Sequence, residues 1–225
     1  MAISRIGSLS VQASTINIPN GEQAGDIILM FAWRDGSATN PTVPADWTVI
    51  TNTTDGTTCS VSMGWKIATS ALETSGTWTS ATHLHCIVYR GVDHITPFGT
   101  LTANAGTTSP STYGSTQGVG KDRMDNQWFA AFQGHRSVDT TTMNTAPTGY
   151  TNLQYLQDSV SDSVSFDTNG PVETGFASNT VAPGGTASGW ITAQIPIYPA
   201  MQRLNNYQFP RVISDGVISV TESIK

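Results

Sequence analysis

The fold of this chain is decided by the stretch GDIILMFAW, residues 25–33. Every position from Ile27 to Trp33 is apolar, so neither face of this segment carries a polar side chain. Short apolar runs of this kind, bounded by turn residues, are typical of strands covered on both faces. The stretch therefore predicts a central strand of a β-sandwich.

The same order of features occurs twice in the chain. In residues 26–89 an Asp-led apolar strand is followed by the turn Pro44–Thr48 and by a closing apolar strand. Residues 125–198 repeat that order more weakly, with the turn at Pro147–Thr151. The repetition predicts one closed β-body built from two sequence-similar half-sheets, at about residues 25–92 and 125–198.

The remaining segments predict an all-β protein. Short alternating runs are separated by turn residues throughout, and none has the spacing of an amphipathic helix. Besides the repeats, we predict edge strands within residues 3–18 and short strands at Gly76–Ser80 and Ser111–Tyr113. The sequence thus predicts a single β-sandwich or jelly-roll-like domain over residues 1–199.

Composition narrows the classes of partner. Charged residues make up only 12% of the chain, the net charge is −6 and the pI is about 4.9. A nucleic-acid surface needs clustered Lys and Arg, so we expect no nucleic-acid partner. The longest apolar run is too short to span a bilayer, and the N-terminus lacks the apolar core of a signal peptide. We therefore expect no membrane partner and folding in a cytoplasm.

Residues 200–225 lie outside the repeat and predict an extended C-terminal arm or edge strand. Val217–Thr221 has a strand pattern but no partner in the repeat scheme. It either adds to an open edge of its own sheet or pairs with a neighbouring molecule. The candidate assembly residues of the arm are its larger apolar side chains: Leu204, Tyr207, Phe209, Val212, Val217, Ile218 and Val220.

Few residues suggest chemistry. His83 and His85 share one strand face, as metal ligands often do, but no acid or Cys joins them there. The oxygen-rich stretch 158–169 lacks the spacing of an EF-hand loop. We find no nucleophile elbow, phosphate loop or dinucleotide fingerprint. The sequence therefore predicts no enzyme, with no catalytic residue, cofactor or metal.

The two cysteines, Cys59 and Cys86, each share a strand face with apolar residues. Both are therefore predicted to be small core residues. A disulfide between them is disfavoured because folding in a cytoplasm keeps thiols reduced.

Several motifs, taken in order, resemble a known family. They are TINIP with GDIIL (residues 15–19 and 25–29), PADWT (44–48), WKIA (65–68) and VYRGVD with a following Pro97 (88–93). In this order they resemble a β-sandwich domain common in tailed-bacteriophage virion proteins and in some bacterial surface proteins. The resemblance covers residues 3–199 and consists of turns and strand ends. Asp46 replaces the usual Gly of the Pro-x-Gly-Trp turn, which Asp tolerates.

The resemblance implies a virion structural protein, most simply a capsid or tail decoration or accessory protein. It would be made in the host cytoplasm, reside in the virion, form homo-oligomers such as trimers and contact other virion proteins. The alternative is a receptor- or glycan-binding head of a tail fibre, with host surface glycan as the partner. Aromatic rings stack on sugars, and the candidates near loops are Trp33, Trp78 and Tyr113.

Overall fold

The computed structural model describes residues 2–108, 111–115, 126–136, 146–172, 175, 179–181 and 188–200. It contains twelve strands: β1 (Ser4–Val11), β2 (Ile27–Asp35), β3 (Thr48–Thr54), β4 (Cys59–Ile67), β5 (His83–Arg90), β6 (Thr102–Gly106), β7 (Ser111–Tyr113), β8 (Trp128–His135), β9 (Thr151–Gln157), β10 (Asp162–Asp167), β11 (Asn179–Val181) and β12 (Trp190–Ile197). No α-helix occurs in the described ranges, and none of their segments is a helix capable of crossing a bilayer.

The strands form two five-stranded antiparallel sheets and one small ribbon. The first sheet has the order β1-β5-β2-β4-β3, and the second has the order β6-β12-β8-β10-β9. The ribbon pairs β7 with β11. Each large sheet is therefore drawn from one half of the chain, and the all-β prediction is confirmed. The described strands do not alternate between the large sheets, so the jelly-roll-like part of the prediction is not confirmed.

The two sheets pack face to face through alternate side chains of their central strands. Ile27, Leu29, Phe31 and Trp33 of β2 lie in the core between the sheets. The Phe31 ring stacks on Phe132 of β8, with 5.4 Å between the centroids. Gly134 of β8 leaves room for the Trp33 ring, because a Cβ there would lie 2.4 Å from it. The apolar segment decides the fold because its inward residues form the middle of this interface.

The other face of each sheet is covered as well. Ile28, Met30 and Ala32 pack beneath Trp47 and Trp78, so the whole run from Ile27 to Trp33 has no exposed surface. The outer face of the second sheet carries Val164 and Phe166, which pack with Tyr113 of the ribbon. The prediction of a central strand covered on both sides is confirmed.

The two Pro-led turns share one backbone hydrogen bond but differ at their third residue, since Gly149 has a φ of 90° and Asp46 has no left-handed backbone. Trp47 N–H donates to Pro44 O over 3.1 Å, and Tyr150 N–H donates to Pro147 O over 2.9 Å. Each turn sends its aromatic side chain onto the outer face of its own sheet. Because its backbone is not left-handed, Asp46 fits this position without the conformational freedom of Gly.

Several local predictions need correction or remain outside the description. Gly76–Ser80 is not a strand, because only Thr79 pairs, in an isolated bridge to Thr42. The strands at the N-terminal edge and at Ser111–Tyr113 are present as β1 and β7. The arm residues Leu204, Tyr207, Phe209, Val212, Val217, Ile218 and Val220 lie outside the described residues.

Both cysteines are buried free thiols, as predicted for core residues. They lie on opposite faces of the first sheet: Cys59 points into the space between the sheets, and Cys86 points to the outer cluster. Strand β2 separates their strands. Burial raises the pKa of both thiols, so neither is a reactive thiolate.

Candidate functional site

Polar side chains are concentrated where β5 packs on β10. His83, His85 and Tyr89 of β5 face Ser163, Ser165 and Asp167 of β10, and all six are fully buried. We call these six residues the polar seam. On the other side of the central strands, β4 packs on β12 through Cys59, Val61, Met63, Ile191, Ala193 and Ile195, which we call the apolar seam.

The two imidazoles are joined by one serine. Ser163 Oγ lies 2.7 Å from His83 Nδ1 and 2.8 Å from His85 Nε2. His85 Nδ1 lies 3.2 Å from Ser165 Oγ. All four ring nitrogens have a partner, because His83 Nε2 lies 3.1 Å from Asp158 Oδ2. A row of hydrogen bonds therefore runs along the interface between the sheets.

Burial sets the protonation state of the imidazoles. It lowers the pKa of His85 to about 3, since this ring is fully enclosed and the neighbouring His83 also disfavours a second positive charge. Burial also lowers the pKa of His83, although the Asp158 carboxylate opposes this shift. Both rings are therefore neutral at pH 7.

Asp158 ends the row at the surface, where its side chain is 26% exposed. Partial burial on its own would raise the pKa of Asp158, but hydrogen bonds outweigh it and hold the pKa below the usual value. These bonds come from the N–H groups of Val160 and Ser161, both at 2.7 Å. The carboxylate is therefore ionised at neutral pH and can only accept hydrogen bonds.

An ion pair closes the other end of the polar seam. Arg5 Nη1 of β1 lies 2.6 Å from Asp167 Oδ1, and Tyr89 OH donates to Asp167 Oδ2 over 3.2 Å. Burial raises the pKa of Asp167, and Arg5 offsets part of that shift. Burial also raises the pKa of Tyr89. Arg5 is thus the cation that compensates a fully buried carboxylate.

Ser163, His83 and Asp158 are the residue types of a hydrolase triad, but the arrangement lacks access. Ser163 and His83 have no exposed surface, so a substrate carbonyl has no path to Ser163 Oγ. The serine is also held by both histidines. The geometry suits a fixed interface between two sheets better than acyl transfer.

The oxygen-rich stretch predicted near residues 158–169 does not converge. Asp158 precedes β10 and Asp167 ends it, so their carboxylates lie at opposite ends of the strand. Asp158 binds the backbone of its own turn, and Asp167 binds Arg5 and Asn169 N–H. In the ranges that the structure describes, no group of three or more His, Cys, Asp and Glu side chains is placed to hold a metal ion.

The three aromatic residues predicted to stack on glycans are wrong for that role. Trp33 and Trp78 have no exposed surface, and Tyr113 is 2% exposed. Trp33 packs on Phe132 between the sheets, and Trp78 packs against the outer face of the first sheet. Tyr113 OH, on the ribbon, donates to Gln133 Oε1 of β8 in the second sheet. A ring needs an exposed face to stack on a sugar, and none of these rings has one.

A groove of about 700 Å³ lies beside the edge strand β1. It lies between Leu9 of β1, the segment 15–22 and the loop 71–77. Leu72 at its rim is 88% exposed. The titratable side chains that line the groove are Glu22 and Glu73.

Sequence reasoning placed His83 and His85 on one face but missed their partners. The polar positions 163, 165 and 167 alternate with apolar Val164 and Phe166, a pattern usually given by a strand with its polar face in water. Here the polar face points inward because the ribbon covers the apolar face.

Comparison with known protein families, curated proteins and solved structures gives no match for this chain.

Proposed function

We propose that this chain is a structural protein of a tailed-bacteriophage virion, a capsid or tail decoration or accessory protein that acts through packing between subunits. The observation that carries the proposal is the position of the last described residues, Pro199 and Ala200. Ala200 N–H donates to Gly91 O over 2.7 Å, and Pro199 pairs with Val92. Residues 201–225, which include the strand pattern Val217–Thr221, follow directly.

Pro199 and Ala200 lie beside β1, the edge strand of the first sheet, which contacts β9 of the second sheet. Gly91 follows Arg90, which pairs with Ser4 at the start of the edge strand β1. An edge strand presents backbone groups to which another strand can add. The position supports an arm that pairs with the edge of a neighbouring copy, and the expected partners are copies of this chain and other virion proteins.

The proposal includes an origin from two similar halves. The sheets share one strand order when β1 to β5 are matched with β6, β8, β9, β10 and β12. The matching Pro-led turns, with the same backbone hydrogen bond, support this relation. The best-formed polar constellation is buried between the halves, which favours a structural role over an enzymatic one. The glycan-binding alternative has less support, because its three candidate rings are buried.

The first experiment is a mass measurement by light scattering on three forms of the purified protein. They are the full chain, a truncation after Ala200, and a full-length control with Val217, Ile218 and Val220 changed to Ser. We expect an oligomer for the full chain and folded monomers for the other two. A monomeric full chain, or loss of the fold on truncation, would contradict assembly through the arm.

A second experiment tests the virion itself. Particles purified from a host that carries this coding sequence should contain the chain in many copies, measured by quantitative mass spectrometry of washed particles. An oligomeric protein that is absent from particles would keep the arm mechanism and overturn the virion assignment.

A further inference from the structure

The direction of each hydrogen bond in the polar seam follows from the chemistry of its ends. Asp158 is an ionised carboxylate that only accepts, so His83 Nε2 must carry the hydrogen that joins them. His83 is neutral, so its Nδ1 is an acceptor and receives the Ser163 hydroxyl proton. That proton is the only one Ser163 has.

The second imidazole is fixed by the same argument. Because Ser163 has already donated, its oxygen must accept from His85 Nε2–H. The neutral His85 then accepts at Nδ1 from the Ser165 hydroxyl. Both histidines are thus in the Nε2–H form, and every donor points toward Asp158. Hydrogen bonds aligned in this way polarise one another.

We propose that the polar seam is an acid-sensitive contact between the two sheets: four hydrogen bonds running one way from Ser165 to Asp158, which are all kept only while both imidazoles are neutral. This device goes beyond the proposed assembly role and does not depend on it.

A proton added at either ring disturbs the row in a defined way. On His83 it turns Nδ1 into a donor, so Ser163 faces two donors and its own proton loses its acceptor. On His85 it creates a cation with no hydrogen-bonded carboxylate, enclosed beside the Phe132 ring in a T-shaped contact with 5.6 Å between the ring centroids. A buried unpaired charge is costly, so either event weakens the contact between β5 and β10.

The charged and titratable groups around the two rings do not remove this cost. Among the described residues, the turn before β10 supplies Asp158, which contacts His83 alone. Strand β2 ends at Asp35, which is engaged by Arg136 after β8, with 3.4 Å between Nε and Oδ1. At the far end Asp167, from β10, is engaged by Arg5 and Tyr89. His85 therefore has no counter-ion of its own.

The sign of the pH effect follows from the lowered histidine pKa values. Above the unfolded value of 6.5 both states are neutral, and the seam contributes its full stability. Below pH 6.5 the histidines of the unfolded state bind protons that the folded state does not bind, so stability falls as the pH falls. For His85 this fall continues to the folded pKa of about 3. Between pH 7.5 and 5.0, His85 alone should lower the folding equilibrium constant about thirtyfold.

Long-range proton–nitrogen NMR on the wild-type protein tests the assignment directly. We expect both rings to be neutral Nε2–H imidazoles at pH 7.5 and His85 to remain so at pH 5.5. An Nδ1–H form at either ring, or an imidazolium signal for His85 at pH 5.5, would overturn the proposal.

Urea unfolding of His85→Gln and of the matched control Ile87→Val tests the consequence. Ile87 lies on the same strand face, so its shortening removes packing without removing a proton site. Between pH 7.5 and 5.0, His85 should contribute about a thirtyfold decrease in the folding equilibrium constant. We expect this contribution to be absent in His85→Gln and unchanged in Ile87→Val. An unchanged pH dependence in His85→Gln would refute the device.

Discussion

On one side of the central strands, β5 packs on β10 through imidazole, hydroxyl and carboxylate groups, while on the other side β4 packs on β12 through aliphatic side chains and a thiol. The two places correspond in the strand order of the sheets, since β5 matches β12 and β4 matches β10. Apolar burial stabilises the apolar seam at any pH and does not depend on the orientation of donors and acceptors. The other seam is stable only if every donor meets an acceptor.

The comparison predicts that the largest loss comes from a residue on β8, the strand between the two seams. Phe132 stacks on Phe31 and forms a T-shaped contact with the His85 ring. Phe132→Ala should cost about 3–5 kcal/mol, because it removes a fully buried ring and leaves a cavity. Urea unfolding followed by tryptophan fluorescence measures it, and Phe132→Leu should recover much of the loss. A cost below about 1 kcal/mol would show that the sheets do not pack as described.

The next largest effect concerns the buried carboxylate. Arg5→Ala removes the cation that faces Asp167, whose side chain has no exposed surface. The expected cost is about 3 kcal/mol, because the remaining carboxylate is buried without a counter-charge. The double variant Arg5→Ala with Asp167→Asn should be more stable than Arg5→Ala at pH 7. Equal stability of the two would mean that Asp167 reaches water.

A smaller effect is expected inside the row of hydrogen bonds. Ser163→Ala leaves a nitrogen of each histidine without a partner and should cost about 1–3 kcal/mol. Ser165→Ala is its matched control, since it frees only His85 Nδ1 and should cost less. Chemical denaturation at pH 7.5 compares the two. A larger cost for Ser165→Ala would place the centre of the network elsewhere.

The smallest effect is expected outside both seams. Leu72 is 88% exposed at the rim of the groove, so Leu72→Ser should change the free energy of unfolding by no more than about 0.5 kcal/mol. Thermal unfolding measures this. A loss above about 1 kcal/mol would show that Leu72 is covered in the folded protein.

The two seams also show how far the sequence could be interpreted. The run Ile27–Trp33 was predictable as a central strand because an apolar residue at every position has only one use in a sheet. The burial of the Cys59 face of β4 followed from the alternation around Cys59, although its packing on β12 did not. The polar seam did not, since period-2 alternation in 162–167 does not state which face is inward.

Pairing across the interface was equally out of reach. His83 and Ser163 are 80 residues apart, and no local pattern links two strands of different sheets. The short strand predicted at Gly76–Ser80 also failed, because Trp78 is buried as a covering residue of the outer face rather than as part of a ladder.

Amide hydrogen exchange at pH 7.5 and at pH 5.5, expressed as protection factors, tests the contrast between the seams most directly. Because His85 stays neutral in the folded protein at pH 5.5, a loss of protection comes from openings that free its ring to bind a proton. The account predicts that β5 and β10 lose about tenfold protection at pH 5.5, and that β4 and β12 lose protection only to the extent that they exchange through the same openings. Unchanged protection of β5 and β10, or a larger loss in β4 and β12, would contradict it.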